Sequence, residues 1–367
     1  MEKNDILMIH GTDYVRMTVT LLERAELADR IGDREKQIAL KPNLVTDNSP
    51  ASGATTHAEL LEGTIQYLQQ HGFRHITIME GSWVGASTAS SMRVCGYDRV
   101  CEKYHVPFVD LKHDTCREYD AKGMKIKVCN LAMRADYMIN MPVLKGHGQT
   151  AVTCALKNNK GVIPDSEKRR FHALGLHKPI AHLNTVCKND FILVDNICGD
   201  LDFEEGGNPV VMNRILGFLD PVLCDAFVCD TMGVDLDEVP YIRLAEQLGV
   251  GSTQLKAAHL IELNEPFSAA GKPPRPTRRI EKLAKYAAPK DACSACYGSL
   301  IHALNRLDAE GALRRLRTPV CIGQGYQGKT GALGVGRCTA MCGKSLPGCP
   351  PKASDILAFL EQSLDQF

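Results

Sequence analysis

Six cysteines gather near the C-terminus: Cys293-Ser-Ala-Cys296, Cys321, Cys338, Cys342 and Gly348-Cys349-Pro350-Pro351. Two thiolates three residues apart at the start of a helix can face one metal together, and the helix N-terminus lowers their pKa. A further pair brought in by the fold completes a four-thiolate site, which suits either zinc or an iron–sulfur cluster. Two tight Cys pairs favour zinc, with Cys342 as partner to Cys338. The Gly-Cys-Pro-Pro ending favours a 4Fe–4S cluster, because proline after a ligating Cys shields the cluster and stiffens its loop. The glycines between Gly323 and Gly336 allow backbone N–H groups to approach the sulfurs. The expected ligands are therefore Cys293, Cys296, Cys338 and Cys349, with a 4Fe–4S cluster as the cofactor and zinc as the alternative. Cys321 lies within an apolar run and reads as core. The nine earlier cysteines lie singly in apolar or mixed runs and read as small buried hydrophobes in a reducing compartment.

A second set of polar residues follows apolar runs one by one: Lys41-Pro42-Asn43, Glu80-Gly81-Ser82, Lys145-Gly146-His147, then Lys157, Asn158 and Asp195. Three lysines and a histidine gathered beyond strand ends form a cationic pocket for a carboxylate or phosphate. Lys145, His147, Lys41 and Glu80 are the candidate catalytic groups. A shielded lysine can serve as base or Schiff-base nucleophile, and histidine can move a proton near neutral pH. Asn43, Lys157, Asn158 and Asp195 are the candidate substrate contacts. His172, His177 and His182 recur every five residues, which places them on no common helical face and argues against a metal site.

The elements that must position these groups alternate in type. Apolar runs at 37–45, 75–81, 107–111, 136–142 and 190–196 read as strands. Residues 58–71, 95–105, 179–187 and 222–231 read as helices. Buried strands alternating with helices predict an α/β fold, a mostly parallel sheet covered by helices on both faces, with ligands beyond the carboxyl ends of its strands. Residues 1–265 form this unit. Residues 266–290, rich in Pro, Ala and base, read as a linker and basic helix, and 291–367 as a smaller Cys-rich α/β cluster-binding unit. No phosphate-binding loop of the common nucleotide folds is present.

The 367 residues carry 43 basic and 43 acidic side chains, so nothing calls for nucleic acid. The N-terminus lacks the pattern of a secretory signal, and no apolar run is long enough for a membrane helix. The expected location is the cytoplasm.

Several of these motifs, in order, resemble the "domain of unknown function 362" family. They are Lys41-Pro42-Asn43, Thr55-Thr56-His57, Glu80-Gly81, Asp136 to Lys145 with His147, Thr153 to Gly161, Asp195, and Asp220 to Gly233. Many members carry an iron–sulfur module, so the resemblance implies a cluster here, while supplying no activity. The Gly-Cys-Pro-Pro segment locally resembles the cluster-binding ending of small subunits of respiratory and hydrogenase complexes. The expected function is a redox enzyme acting on a small anionic ligand. The alternatives are an electron-transfer or sensing module served by an electron-carrier protein, and a non-redox lyase or isomerase or structural zinc protein.

Overall fold

A computed structural model describes residues 1–266 and 278–364. Its centre is an eight-stranded sheet in the order His259–Glu262, Asp5–His10, Pro209–Phe218, Phe191–Asp200, Tyr137–Met141, Ile38–Pro42, Ile76–Glu80 and Phe108–Asp110. Neighbouring strands run parallel except where Pro209–Phe218 pairs with Asp5–His10 and with Phe191–Asp200.

Alternation along each strand explains why both faces are covered. Ala39, Met79, Met138, Ile192 and Val194 pack into one apolar cluster, with helices Pro221–Met232 and Pro240–Gln247. Their chain neighbours Ile38, Leu40, Ile78, Ile139 and Leu193 pack into another, with Tyr14–Arg24 and Ala58–Gln70. Successive side chains point to opposite faces, so a strand apolar at every position is stable only when helices lie on both.

The architecture adds elements that the sequence patterns do not announce. Asp5–His10 is an interior strand. The run at 190–196 extends to Asp200 and folds back antiparallel through residues 201–208 into Pro209–Phe218. This long hairpin projects beyond the sheet, and the C-terminal unit packs on it. Leu201, Val210 and Met212 share a core with Leu300, Leu304 and Leu307. Met212 lies against Gly298, where a Cβ would displace it.

The C-terminal unit has its own parallel sheet, Ala287–Pro289, Val320–Ile322, Leu333–Val335 and Lys344–Leu346, with helices Ser294–Ala309 and Ala353–Glu361. Residues 287–289, assigned by composition to the linker, are instead its first strand, because they pair with Val320–Ile322. The basic stretch forms a helix at Arg278–Ala284, while the proposed linker residues 267–277 lie outside the described residues.

Candidate functional site

The four expected cysteines come from three chain segments. Cys293 and Cys296 lie at the N-terminus of Ser294–Ala309, Cys338 in the turn after Leu333–Val335, and Cys349 beyond Lys344–Leu346. All four line one cleft of about 320 Å³, together with Gln324, Gln327, Gly336, Arg337 and Gly348. Gln324 Nε2 donates to Cys293 Sγ at 3.4 Å, and Gln327 Nε2 to Cys338 Sγ at 3.7 Å. The Cys293 thiol is drawn down to about 6 by its hydrogen bond with Cys296, against burial, with Gln324 adding to the effect. Cys296, the other half of that pair, is pushed up. Cys321 and Cys342 lie elsewhere, with both sulfurs beside Gly331, and neither lines the cleft.

The polar motifs of the main sheet also meet. Strands Ile38–Pro42, Ile76–Glu80 and Tyr137–Met141 are parallel neighbours, so their carboxyl ends deliver Lys41, Glu80 and the segment leading to Lys145 to one edge. The groups there are tightly partnered. Lys41 Nζ contacts the Glu80 carboxylate and donates to Pro42 O at 2.9 Å. Burial pushes Lys41 down and Glu80 up, and their mutual attraction opposes both shifts. Lys145 Nζ, lowered to about 8 chiefly by burial, donates to Asn43 Oδ1 at 3.2 Å, Ala54 O at 2.5 Å and Glu204 O at 2.8 Å. His147 Nδ1 accepts two backbone N–H groups, from Gln149 at 3.0 Å and Thr150 at 3.1 Å. Its proton therefore sits on Nε2, 3.0 Å from Glu204 Oε2. Burial lowers its pKa. Asn158 binds Lys41 O, Asn140 and Asn43.

Glu204, at the turn of the long hairpin, was not evident from the sequence. Its carboxylate contacts both Lys157 Nζ and His147 Nε2. Burial works to raise its pKa, but Lys157, His147 and Lys145 hold it well below the usual carboxylate range. An acidic pair in a Glu-Glu-Gly-Gly turn reads as solvated loop until the hairpin is known to fold back over the lysines. Asp195 does not join this cluster. Its Oδ2 accepts from His57 N at 2.7 Å and pairs with His57 Nδ1 at 2.8 Å.

Beside the paired groups is an open cleft of about 410 Å³. Asn43, Glu80, Lys157 and Asn158 line it, while Lys41, Lys145 and His147 stand behind its wall. Its remaining basic lining, Lys160, Lys168, Arg169 and His172, comes from the turn Asn159–Val162 and the helix Asp165–Ala173. No pattern in the sequence singles these out, since a charged helix ordinarily marks a solvated face.

Among the described residues, Cys154, Cys224 and Asp225 also come together, with donor atoms within 4.8 Å of one another. The Asp225 carboxylate accepts from the N–H groups of Ala155 and Leu156, which gives it a structural role at the start of Ala155–Asn158. No described helix is long and apolar enough to cross a membrane.

Residues 38–230 match the family described as "Domain of unknown function (DUF362)". A thylakoid-associated protein of Synechocystis sp. is 26% identical over 233 residues, covering 60% of this chain and 70% of that protein.

Proposed function

The chain belongs to the DUF362 family, and from that premise we propose that it is a 4Fe–4S protein, a redox enzyme acting on a small anionic molecule. The observation that carries the cluster is that Cys293, Cys296, Cys338 and Cys349 line a single cleft, apart from Cys321 and Cys342. The Gly-Cys-Pro-Pro ending, and the glycines between Gly323 and Gly336 that let backbone N–H groups approach the sulfurs, favour a cluster over zinc. When bound, the cluster supplies one-electron transfer. Gln324 and Gln327, as donors to the thiolates, stabilise their negative charge and raise the potential. The test is anaerobic purification with iron, sulfide and zinc analysis, followed by spectroscopy with and without dithionite. About four iron and four sulfide per chain are expected, and stoichiometric zinc without sulfide refutes the cluster.

The basic cleft supports the substrate half of the reading. The long hairpin links the two halves, because Glu204 enters the pocket while Asp202 accepts from Asn305 Nδ2 at 3.0 Å on the cysteine-bearing helix. A second reading, an electron-transfer module, is favoured by the close pairing of Lys41, Lys145 and Lys157, and by the partial exposure of Cys338 and Cys349, which leaves the cluster open to an electron-carrier protein. Anion binding in the basic cleft separates the two readings. A cytoplasmic location is likewise proposed, and cell fractionation tests it against a thylakoid association of the kind named for the Synechocystis relative.

A further inference from the structure

One amine of the basic cleft differs from its neighbours. Lys41, Lys145 and Lys157 are committed to the partners described above. Lys168 Nζ donates to Gly81 O at 2.9 Å and Ser82 O at 2.8 Å, and lies 3.3 Å from Asp165 Oδ1. These three acceptors match the three hydrogens of its ammonium. Lys160 Nζ instead lies 3.4 Å from His172 Nε2, and among the described residues it has no carboxylate in ion-pair contact. The turn that carries it passes close to the paired groups. A Cβ at Gly161 would run into the Glu80 carboxylate and the Lys41 chain, so glycine is required there. Trp83, 51% exposed, supplies an apolar aromatic surface on the same cleft.

We propose that Lys160 is an amine nucleophile that condenses with the carbonyl carbon of a small anionic aldehyde or ketone bound in this cleft. The amine nitrogen adds to the carbonyl carbon to give a carbinolamine, and loss of water leaves an imine. His172 takes the proton that leaves nitrogen and returns it to the departing hydroxyl. One carbonyl is consumed and one water released, with no oxidant or reductant. Arg169 and Lys168 offer positive charge to the ligand's carboxylate or phosphate. The electrostatics agree with this geometry. Burial lowers Lys160 to about 7, with Lys157 and Lys168 adding to the effect and Glu204 opposing it. His172 is lowered by burial and by Lys160, Lys157 and His147, against Glu204, so its neutral ring can accept a proton. This inference rests on the anionic-ligand half of the proposed function and is independent of the cluster.

The test uses the full chain with glyoxylate and cyanoborohydride at pH 7, followed by peptide mapping. An amine titrating near 7, rather than at the ordinary value of about 10.4, is roughly a thousand times more populated in its neutral form at that pH. Its lower basicity offsets part of this gain. Lys160 should be carboxymethylated at least about tenfold faster than exposed Lys125 and Lys256. Lys160→Arg should abolish labelling of that peptide while leaving Lys125 and Lys256 unchanged, which also shows that the variant is folded. Trp83 is the sole tryptophan, so its fluorescence reports ligand entry without the reductant. Even labelling of all lysines, or a fluorescence change without preferential labelling of Lys160, overturns the assignment. Iron and sulfide are assayed on the same sample, so failure of the cluster reading is scored separately.

Discussion

Glu204→Gln removes one charge from a cluster built around it. The Lys157 side chain is 1% exposed, and its carboxylate partner is Glu204. Breaking a buried ion pair on one side costs about 3–5 kcal/mol, because the remaining charge stays buried without compensation. The Glu204 side chain is 20% exposed, so water screens part of this and we expect a loss of about 2–3 kcal/mol. At about 2.1 cal/mol/K of unfolding entropy per residue, that lowers Tm by roughly 3 °C if the chain melts as one unit, and by roughly 4–5 °C if residues 1–266 melt alone. The sign of the pH dependence follows from the depressed pKa of Glu204. Its contribution is fully present above the unfolded carboxylate value and is lost as pH falls through the lower folded value. Urea unfolding of both proteins at pH 7 and at successively lower pH should therefore show the gap closing in acid. A loss below about 0.5 kcal/mol at pH 7, the range of an ordinary surface substitution, or a gap that does not change with pH, refutes this account of the hairpin turn.

Other substitutions probe the remaining pairings. Cys293→Ser, Cys296→Ser, Cys338→Ser and Cys349→Ser should each remove or strongly weaken the cluster, whereas Cys321→Ser and Cys342→Ser should leave iron and sulfide content unchanged. Loss with Cys342→Ser and retention with Cys338→Ser would reverse that assignment. Burial works to lower the pKa of His57, yet Asp195 holds it above 6.5. Asp195→Asn should bring it down, as read by NMR titration, and an unchanged His57 titration would refute the pairing. Wild-type stability from this pair is present below the unfolded histidine value and lost as pH rises through the folded one, a trend the variant should lack. Lys41→Met alone should cost about 3–5 kcal/mol in urea unfolding, and adding Glu80→Leu should recover much of it, because it removes the stranded carboxylate; a double variant no more stable than the single argues that the pair has a further role.

Much of the local structure of this protein was legible in its sequence. Strands at 37–45 and 75–81 and the helix at 58–71 follow from uninterrupted apolar runs, helical spacing and Gly72 as a stop. Because a parallel sheet sends strand ends to one edge, even the meeting of Lys41, Asn43, Glu80 and Lys145 could be anticipated. The cysteines were legible for a similar reason, since a Cys-x-x-Cys at a helix start and a Gly-Cys-Pro-Pro ending constrain geometry within a few residues.

Only the tertiary structure decided which groups are spent on one another and which face open space. Pairing depends on contacts between residues far apart in the chain. Lys157 meets Glu204 across 47 positions and Lys145 meets Asn43 across 102, and no periodicity records such contacts. The same folding that buries Lys41 and Lys145 behind the wall brings Lys160, Arg169 and His172, unremarkable on a charged stretch, onto a shared cleft. Residue type sets what a side chain can do, but burial and the positions of its neighbours, both long-range quantities, set the protonation state and access that allow it.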